Sequence, residues 1–233
     1  MYIFGIDTCC MAATTAVISE DRLVCQLVQN NKKTHSQKIM PMIEFMLSQA
    51  EIAVSDIDCF AATVGPGSFT GVRIGVATVK ALAHATGKPC AAVSTLHALA
   101  NNVAHFSGII CPVLDARRGQ VYTATFQGES MERLSEDCAC SIEELLDKLK
   151  DSTQKIMFLG DGVPVFEEQI KNTLGDNCLF AQRMQRMNLA ASVAEIGCQK
   201  FLSNDVVSYE ELIPEYLRLS QAERERLERE GKI

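Results

Sequence analysis

Nowhere in the 233 residues is there an apolar run approaching the roughly 18–20 that a membrane span needs, so no membrane association is expected. No basic segment precedes the first apolar run, Tyr2 to Ile6, so a signal peptide is not expected and a cytoplasmic location is. Positive charge is scarce, with 22 Lys and Arg against 29 Asp and Glu and a formal charge of −7. Such a chain is poorly suited to hold a phosphate backbone by itself. The ten cysteines include no C-x-x-C, only Cys138-x-Cys140, and scatter through apolar runs, as buried reduced thiols do. No H-x-x-x-H is present. Asn101 stands four residues after His97, His105 is two turns away, and Ile39 follows His35 by four. With no second ligand pair near Cys138 and Cys140, no zinc site is expected. A G-x-S-x-G elbow is also absent, and no Cys–His pair is indicated. These absences leave no legible catalytic set, and neither metal nor cofactor is expected.

What is present is an ordinary globular composition, 47% hydrophobic and 22% charged, enough for one large domain or two of about 100 residues. Apolar and β-branched runs predict strands at 2–7, 14–19 and 23–29. A helix is predicted over 35–50, where Ile39, Met42, Ile43, Met46, Leu47 and Ala50 recur at helical spacing. Pro41 there marks either a first turn or a bend. A strand at 60–64, a helix at 70–86 stopped by Gly87 and Pro89, a strand at 90–94 and a helix at 95–105 complete the half. The order then restarts. Strands are predicted at 109–115, 120–127 and, weakly, 131–134, then a helix at 141–150, strand 155–159, helix 163–172, strand 177–180 and helix 189–202. Both halves read β-β-β-α-β-α-β-α, which predicts two α/β lobes with mixed sheets and flanking helices. The expected divisions are 1–106, 107–205 and a C-terminal extension at 206–233 carrying a charged helix at 220–230.

The densest motif is the loop Gly65-Pro66-Gly67-Ser68-Phe69-Thr70 running on to Gly71-Val72-Arg73-Ile74-Gly75. Between a strand and a helix, it either cradles an anion on free N–H groups or is a tight turn whose glycines satisfy geometry. It is not a Walker loop, since no Gly-Lys-Ser/Thr follows, and Thr70 breaks the dinucleotide pattern. The helix after it is apolar nearly all round, apart from a narrow stripe of Arg73, Lys80 and His84. It is therefore buried on more than one side, either within its own lobe or against a partner. Gly71 and Gly75 would permit a close helix approach, and Met40, Met42 and Met46 suit an adaptable contact surface or a core equally. The candidate interface is Ile39, Met42, Ile43, Met46, Gly71, Val72, Arg73, Gly75 and Val76. Asp7 and Asp115 end the first strand of each half. They would hold a metal-bound phosphate, act as an acid/base pair, or simply cap turns, with Arg117 and Arg118 binding an anion or lying solvated.

Taken together, Ile6-Asp7-Thr8, His35-Ser36 with Pro41, the Gly65–Gly75 loop, the run Asp115-Ala116-Arg117-Arg118-Gly119-Gln120-Val121-Tyr122 and the tail around Pro214–Arg218 and Ser220–Arg224 resemble the TsaB family, formerly YeaZ. The resemblance covers essentially the whole chain and departs at Cys9-Cys10, where the family usually has small hydroxyl residues. It implies the two-lobed actin-like ATPase fold shared with sugar kinases and heat-shock ATPases. It also implies a non-catalytic subunit in tRNA threonylcarbamoyladenosine modification, without cofactor. Its partners would be a TsaD-like catalytic subunit and a TsaE-like ATPase, with tRNA reached indirectly through the complex. Asp7 and Asp115 would then be degenerate phosphate-turn residues. Self-association of the chain alone is a fallback. A small-molecule ATP-dependent phosphotransferase of the same fold is the alternative; a metallopeptidase lacks ligands.

From the charge follows a first expectation. The isolated chain should bind tRNA only weakly at physiological salt, and submicromolar affinity with a steep salt slope in a titration would contradict it.

Overall fold

The structure, a computed structural model, describes residues 1–31, 33–219, 226 and 229. Its first half runs β1 (Tyr2–Asp7), β2 (Ala13–Ser19), β3 (Leu23–Gln29), α1 (His35–Ala50), β4 (Cys59–Gly65), α2 (Phe69–Thr86), β5 (Cys90–Ser94) and α3 (Thr95–Asn101). The second half runs β6 (Ile109–Arg117), β7 (Gln120–Thr123), β8 (Phe126–Gln127), β9 (Cys138–Ser141), α4 (Ile142–Leu149), β10 (Ile156–Leu159), α5 (Val163–Leu174), β11 (Cys178–Phe180) and α6 (Ala190–Leu202). The two sheets repeat one plan. The first is ordered β3-β2-β1-β4-β5 and the second β9-β7-β6-β10-β11, with β8 paired to β6 beside this path. In each, the opening strand lies centrally, with antiparallel neighbours on one side and parallel ones on the other. Central β1 and β4 are buried along nearly their whole length, as strands covered by helices on both faces must be.

Three expectations change. The predicted helix at 95–105 ends at Asn101, and the strand at 120–127 breaks into β7 and β8. The third strand of the second half is not at 131–134, where only Arg133 bridges Phe126. It is β9, whose Cys138–Ser141 pair along β7. Pro41 lies inside α1, exposed, and the helix continues past it to a left-handed Glu51. The predicted helix at 220–230 lies outside the described residues save Arg226 and Arg229, both helical.

Helices cover both faces of the first sheet and lie against the second. Helices α1 and α2 cover one face of the first sheet, joining Phe4, Ile6, Phe60 and Val64 in one core. Helices α4 and α5 cover the outer face of the second. Between the sheets lie α3 and α6, each crossing to the other half. Leu96 and Leu99 of α3 pack with Ile110, Leu114 and Tyr122. Val193, Ala194 and Ile196 of α6 pack with Ile3, Ala61, Ala91 and Val93 of the first sheet. Each fully buried Val or Ile there contributes about 1.5–3 kcal/mol. A cut at residue 106 thus separates the sheets but not their covering helices.

The chain after α6 returns to the first lobe and runs along it. Val207 exchanges two 2.8 Å hydrogen bonds with Cys90 at the free edge of β5. Leu212 is buried in the first core, and the Glu215 N–H donates to the Val64 carbonyl at 2.8 Å. Tyr216 stacks on Phe69, ring centroids 4.7 Å apart, and Arg218 Nη1 donates to the Ala116 carbonyl at 2.9 Å.

The seating of α6 depends on Gly5, where a side chain would overlap the Ala190 carbonyl and come within 2.7 Å of the Ala194 nitrogen. Gly5→Ala should therefore cost about 1–3 kcal/mol or more in urea unfolding. Gly119→Ala, at a left-handed turn (φ 72°) with open space around it, should cost about 1 kcal/mol. Equal losses would show that α6 does not depend on that contact.

Candidate functional site

A cleft of about 1050 Å³ opens where the two lobes meet. One wall is the turn after β1, the start of α1 and the β4–α2 loop; the other is the β6–β7 hairpin and the β10–α5 turn. Arg218 and Leu219 of the tail lie at its mouth.

Asp7 does not face this cleft. It is fully buried, Oδ1 accepting from the Cys9 N–H at 2.8 Å and Oδ2 from Asn188 Nδ2 at 2.9 Å. Burial pushes its carboxyl up to about 6, although the bonds from Cys9, Asn188 and Thr63 favour the charged form. Of the alternatives for Asp7 and Asp115, a carboxylate pair facing the cleft is not formed, because Asp7 is spent on internal bonds. Next to it, Thr8 Oγ1 donates to the Gly71 carbonyl at 2.6 Å, and Cys9 Sγ donates to Thr63 Oγ1 at 3.0 Å.

The glycine loop packs directly on this turn. The Ser68 N–H donates to the Cys9 carbonyl at 2.8 Å, and the Ser68 side chain caps α2 by accepting from the Gly71 N–H at 3.3 Å. A side chain at Gly71 would overlap the Thr8 carbonyl, and one at Gly75 would sit 2.6 Å from Thr8 Oγ1. Gly67 meets the Cys9 carbonyl, and Gly65, joined to Pro66 by a cis bond, meets the Glu215 carbonyl. These glycines answer to backbone approach within the chain, the geometric alternative for the motif. Ser68, Phe69 and Thr70 still line the cleft.

On the opposite wall the carboxylates do face the cleft. Asp115 accepts from the Arg117 N–H at 2.8 Å and from Arg117 Nη1 at 2.9 Å, while its own N–H donates to Asp161 Oδ1 at 3.1 Å. Burial and the Asp115 charge hold the Asp161 carboxyl above the usual range. Sequence reasoning missed Asp161. Its signal was positional: Gly160-Asp161-Gly162 ends the fourth strand of the second plan as Gly65-Pro66-Gly67 ends that of the first. His35, also on the cleft, donates from Nε2 to the Cys10 carbonyl at 2.8 Å, and burial holds its pKa below the ordinary value.

The candidate interface residues divide by exposure. Ile39, Met42, Ile43, Met46, Val72 and Val76 all point into the first lobe's own core, and Gly71 and Gly75 face Thr8. Of that set only Arg73 is exposed, its Nε donating to Tyr216 Oη at 2.7 Å. The helical period located the apolar stripe and left it open between its own lobe and a partner; these residues pack on the sheet beneath. The outward face of α2 is instead Thr70, Arg73, Ala77, Ala81, His84 and Ala85 with half-buried Ile74.

Residues 23–226 match the family model described as TsaD: tRNA N6-adenosine threonylcarbamoyltransferase. The chain is 34% identical over 225 residues to a Bacillus subtilis protein named tRNA threonylcarbamoyladenosine biosynthesis protein TsaB, covering 96% of both chains. It superposes on YeaZ from Pseudomonas aeruginosa with a TM-score of 0.80 at 24% identity, over 93% of this chain and 99% of that one. It superposes on ROK hexokinase from Thermus thermophilus with a TM-score of 0.50 at 11% identity, over 87% and 100%. The fold is therefore the two-lobed α/β fold shared with YeaZ and with ROK hexokinase.

The buried carboxylate makes a signed prediction. Because the folded pKa of Asp7, about 6, lies above its ordinary 3.8, the folded state holds that proton more tightly. This stabilisation is fully present below about 3.8 and is lost as pH rises through about 6, a difference of about 3 kcal/mol. Asp7→Asn should remove that component. Its urea midpoint, relative to wild type, should rise between pH 4 and pH 7; parallel profiles would show that Asp7 titrates normally.

Proposed function

The chain belongs to the TsaB (YeaZ) family, and from that premise we propose that it serves tRNA threonylcarbamoyladenosine biosynthesis as a non-catalytic subunit pairing with a TsaD-like catalytic partner. The observation that carries the pairing is the outward face of α2, where Thr70, Ile74, Ala77 and Ala81 leave a shallow apolar strip. Short side chains let a second helix approach to about 8 Å, the near limit of helix packing. A partner built on the same fold has the equivalent helices to offer, so the two subunits meet across a pseudo-twofold axis. Self-association through this face is the same contact made between two copies. A TsaE-like ATPase joins the assembly, and tRNA is met through the complex. The internal wiring of Asp7, Thr8 and Cys9 supports the non-catalytic role: Asp7 accepts from the Cys9 N–H and Asn188, Thr8 donates to the Gly71 carbonyl and Cys9 donates to Thr63.

One observation favours a second reading. Asp115 and Asp161 face a cleft of about 1050 Å³, a site of the size and charge for a magnesium nucleotide in a phosphotransferase. Calorimetric titration of the chain alone with Mg-ATP separates the readings. Heat of binding and turnover, both lost in Asp161→Asn, would support the phosphotransferase.

For the pairing itself, Ala77→Arg should melt like wild type yet weaken binding to a TsaD-like protein at least tenfold, about 1.4 kcal/mol. Glu195→Ala, on the exposed side of α6, should do neither. Val76→Glu, placed in the core, should lower the melting temperature before it reports on any interface. Normal binding by folded Ala77→Arg would place the contact elsewhere.

A further inference from the structure

A second concavity, which adjoins the interlobe cleft at Lys33, lies between the outer edge of β3 and α1. It encloses about 330 Å³ and is walled by Val28, Gln29, Lys33, Lys38, Pro41 and Phe45. Strand β3 ends its sheet and has no strand on its outer side among the described residues. The wall is partly apolar and open to solvent, with Phe45 57% and Val28 39% exposed.

Lys38 is the anomaly. Its side chain is 3% exposed, yet its Nζ makes one hydrogen bond, 3.1 Å to the Gln29 carbonyl, and no carboxylate pairs with it among the described residues. Beside it, Gln29 Oε1 is buried and accepts from no donor among the described residues. Burying a cation without a counterion is costly, and an unfilled amide oxygen adds to that cost. Burial also holds the Lys38 ammonium below the ordinary lysine range. A carboxylate laid over the groove would supply the anion that Lys38 lacks among the described residues.

We propose that this groove binds an extended segment of a partner protein, laid along the free edge of β3 with a carboxylate over Lys38 and an aliphatic side chain against Pro41 and Phe45. The occupant is assigned by complementarity. A strand edge offers backbone donors and acceptors that an extended peptide matches, and main-chain bonding of this kind gives affinity while flanking pockets give selectivity. Lys33 at the rim adds a second positive charge, in a chain whose formal charge is −7. The carboxylate is either a Glu or Asp side chain or a free C-terminus. The groove lies on the β3 side of α1, whereas the face proposed for the TsaD-like partner lies toward α2, so failure of either idea leaves the other standing.

The experiment is selection of displayed random peptides on the full chain, with libraries whose C-termini are free or blocked. Enriched sequences should place an acidic residue, or the free C-terminus, next to an aliphatic one. The best peptide, made synthetically, should bind at least tenfold more weakly to Lys38→Met, and likewise when its carboxylate is replaced by an amide. Bound peptide should slow amide exchange along β3. Lys38→Met alone should melt higher by about 3 °C or more, because an uncompensated buried charge is removed. A lysine that merely braced the Gln29 carbonyl would give a lower melting temperature instead. Phe45→Ala, on the exposed wall, provides an independent loss of binding. No enrichment, enrichment without acidic or terminal carboxylates, or equal binding to Lys38→Met overturns the proposal.

Discussion

The carboxylate of Asp7, shared between the N–H of Cys9 and the amide of Asn188, ties the centre of the first sheet to the segment that launches α6. A buried carboxylate is expensive, and here its hydrogen bonds offset part of that cost. The two residues after it extend the same anchor. Thr8 reaches the first turn of α2, and Cys9 reaches β4. Three consecutive side chains therefore position a helix from the second half, a helix from the first and the neighbouring strand. The glycines at 5, 71 and 75 exist on the same account, since each lets backbone come against this strand or its turn.

The duplicated plan has diverged at equivalent points. Where the first lobe's opening strand ends, the carboxylate turns inward and is consumed by structure. Where the second lobe's opening strand ends, Asp115 and Asp161 remain at the cleft, bound to each other through one N–H and to Arg117. Among the described residues, only one of the two walls thus offers carboxylates to a ligand. That asymmetry leaves the first turn to cohesion and the second wall to the cleft.

Much of this architecture was legible because β1, β3, α1 and β5 carry unbroken periodic patterns between clear punctuation, and their bounds follow from the residues alone. The repeated element order was legible for the same reason. What escaped was direction. Amphipathicity says that Met42 and Val76 are buried, but a helix apolar on most sides does not announce which side meets its own sheet. The crossing of α3 and α6 escaped too, since Ala98 or Val193 would be equally content under either sheet. Met131 and Leu134 look like a strand, yet Cys138 to Ser141 hold the register on β7, and a short apolar run carries little to separate the two. Asp161 was hidden because a lone aspartate between glycines reads as a turn until its strand is matched to β4. Lys38 was hidden because a lysine on a helix is ordinarily solvated.

The crossing helices also fix an order of events during synthesis. The face of the first sheet that carries Ile3, Ala61, Ala91 and Val93 is covered by α6, whose residues are made only after the whole second sheet. The free edge of β5 waits still longer, for Val207. The lobe that leaves the ribosome first is therefore the last to be closed. For the interval between, a nascent chain carries a flat apolar surface and an unpaired strand edge, the two features that recruit chaperones or invite misassembly. Any break in translation between Asn101 and Ala190 releases a first lobe that is fully made but lacks its cover.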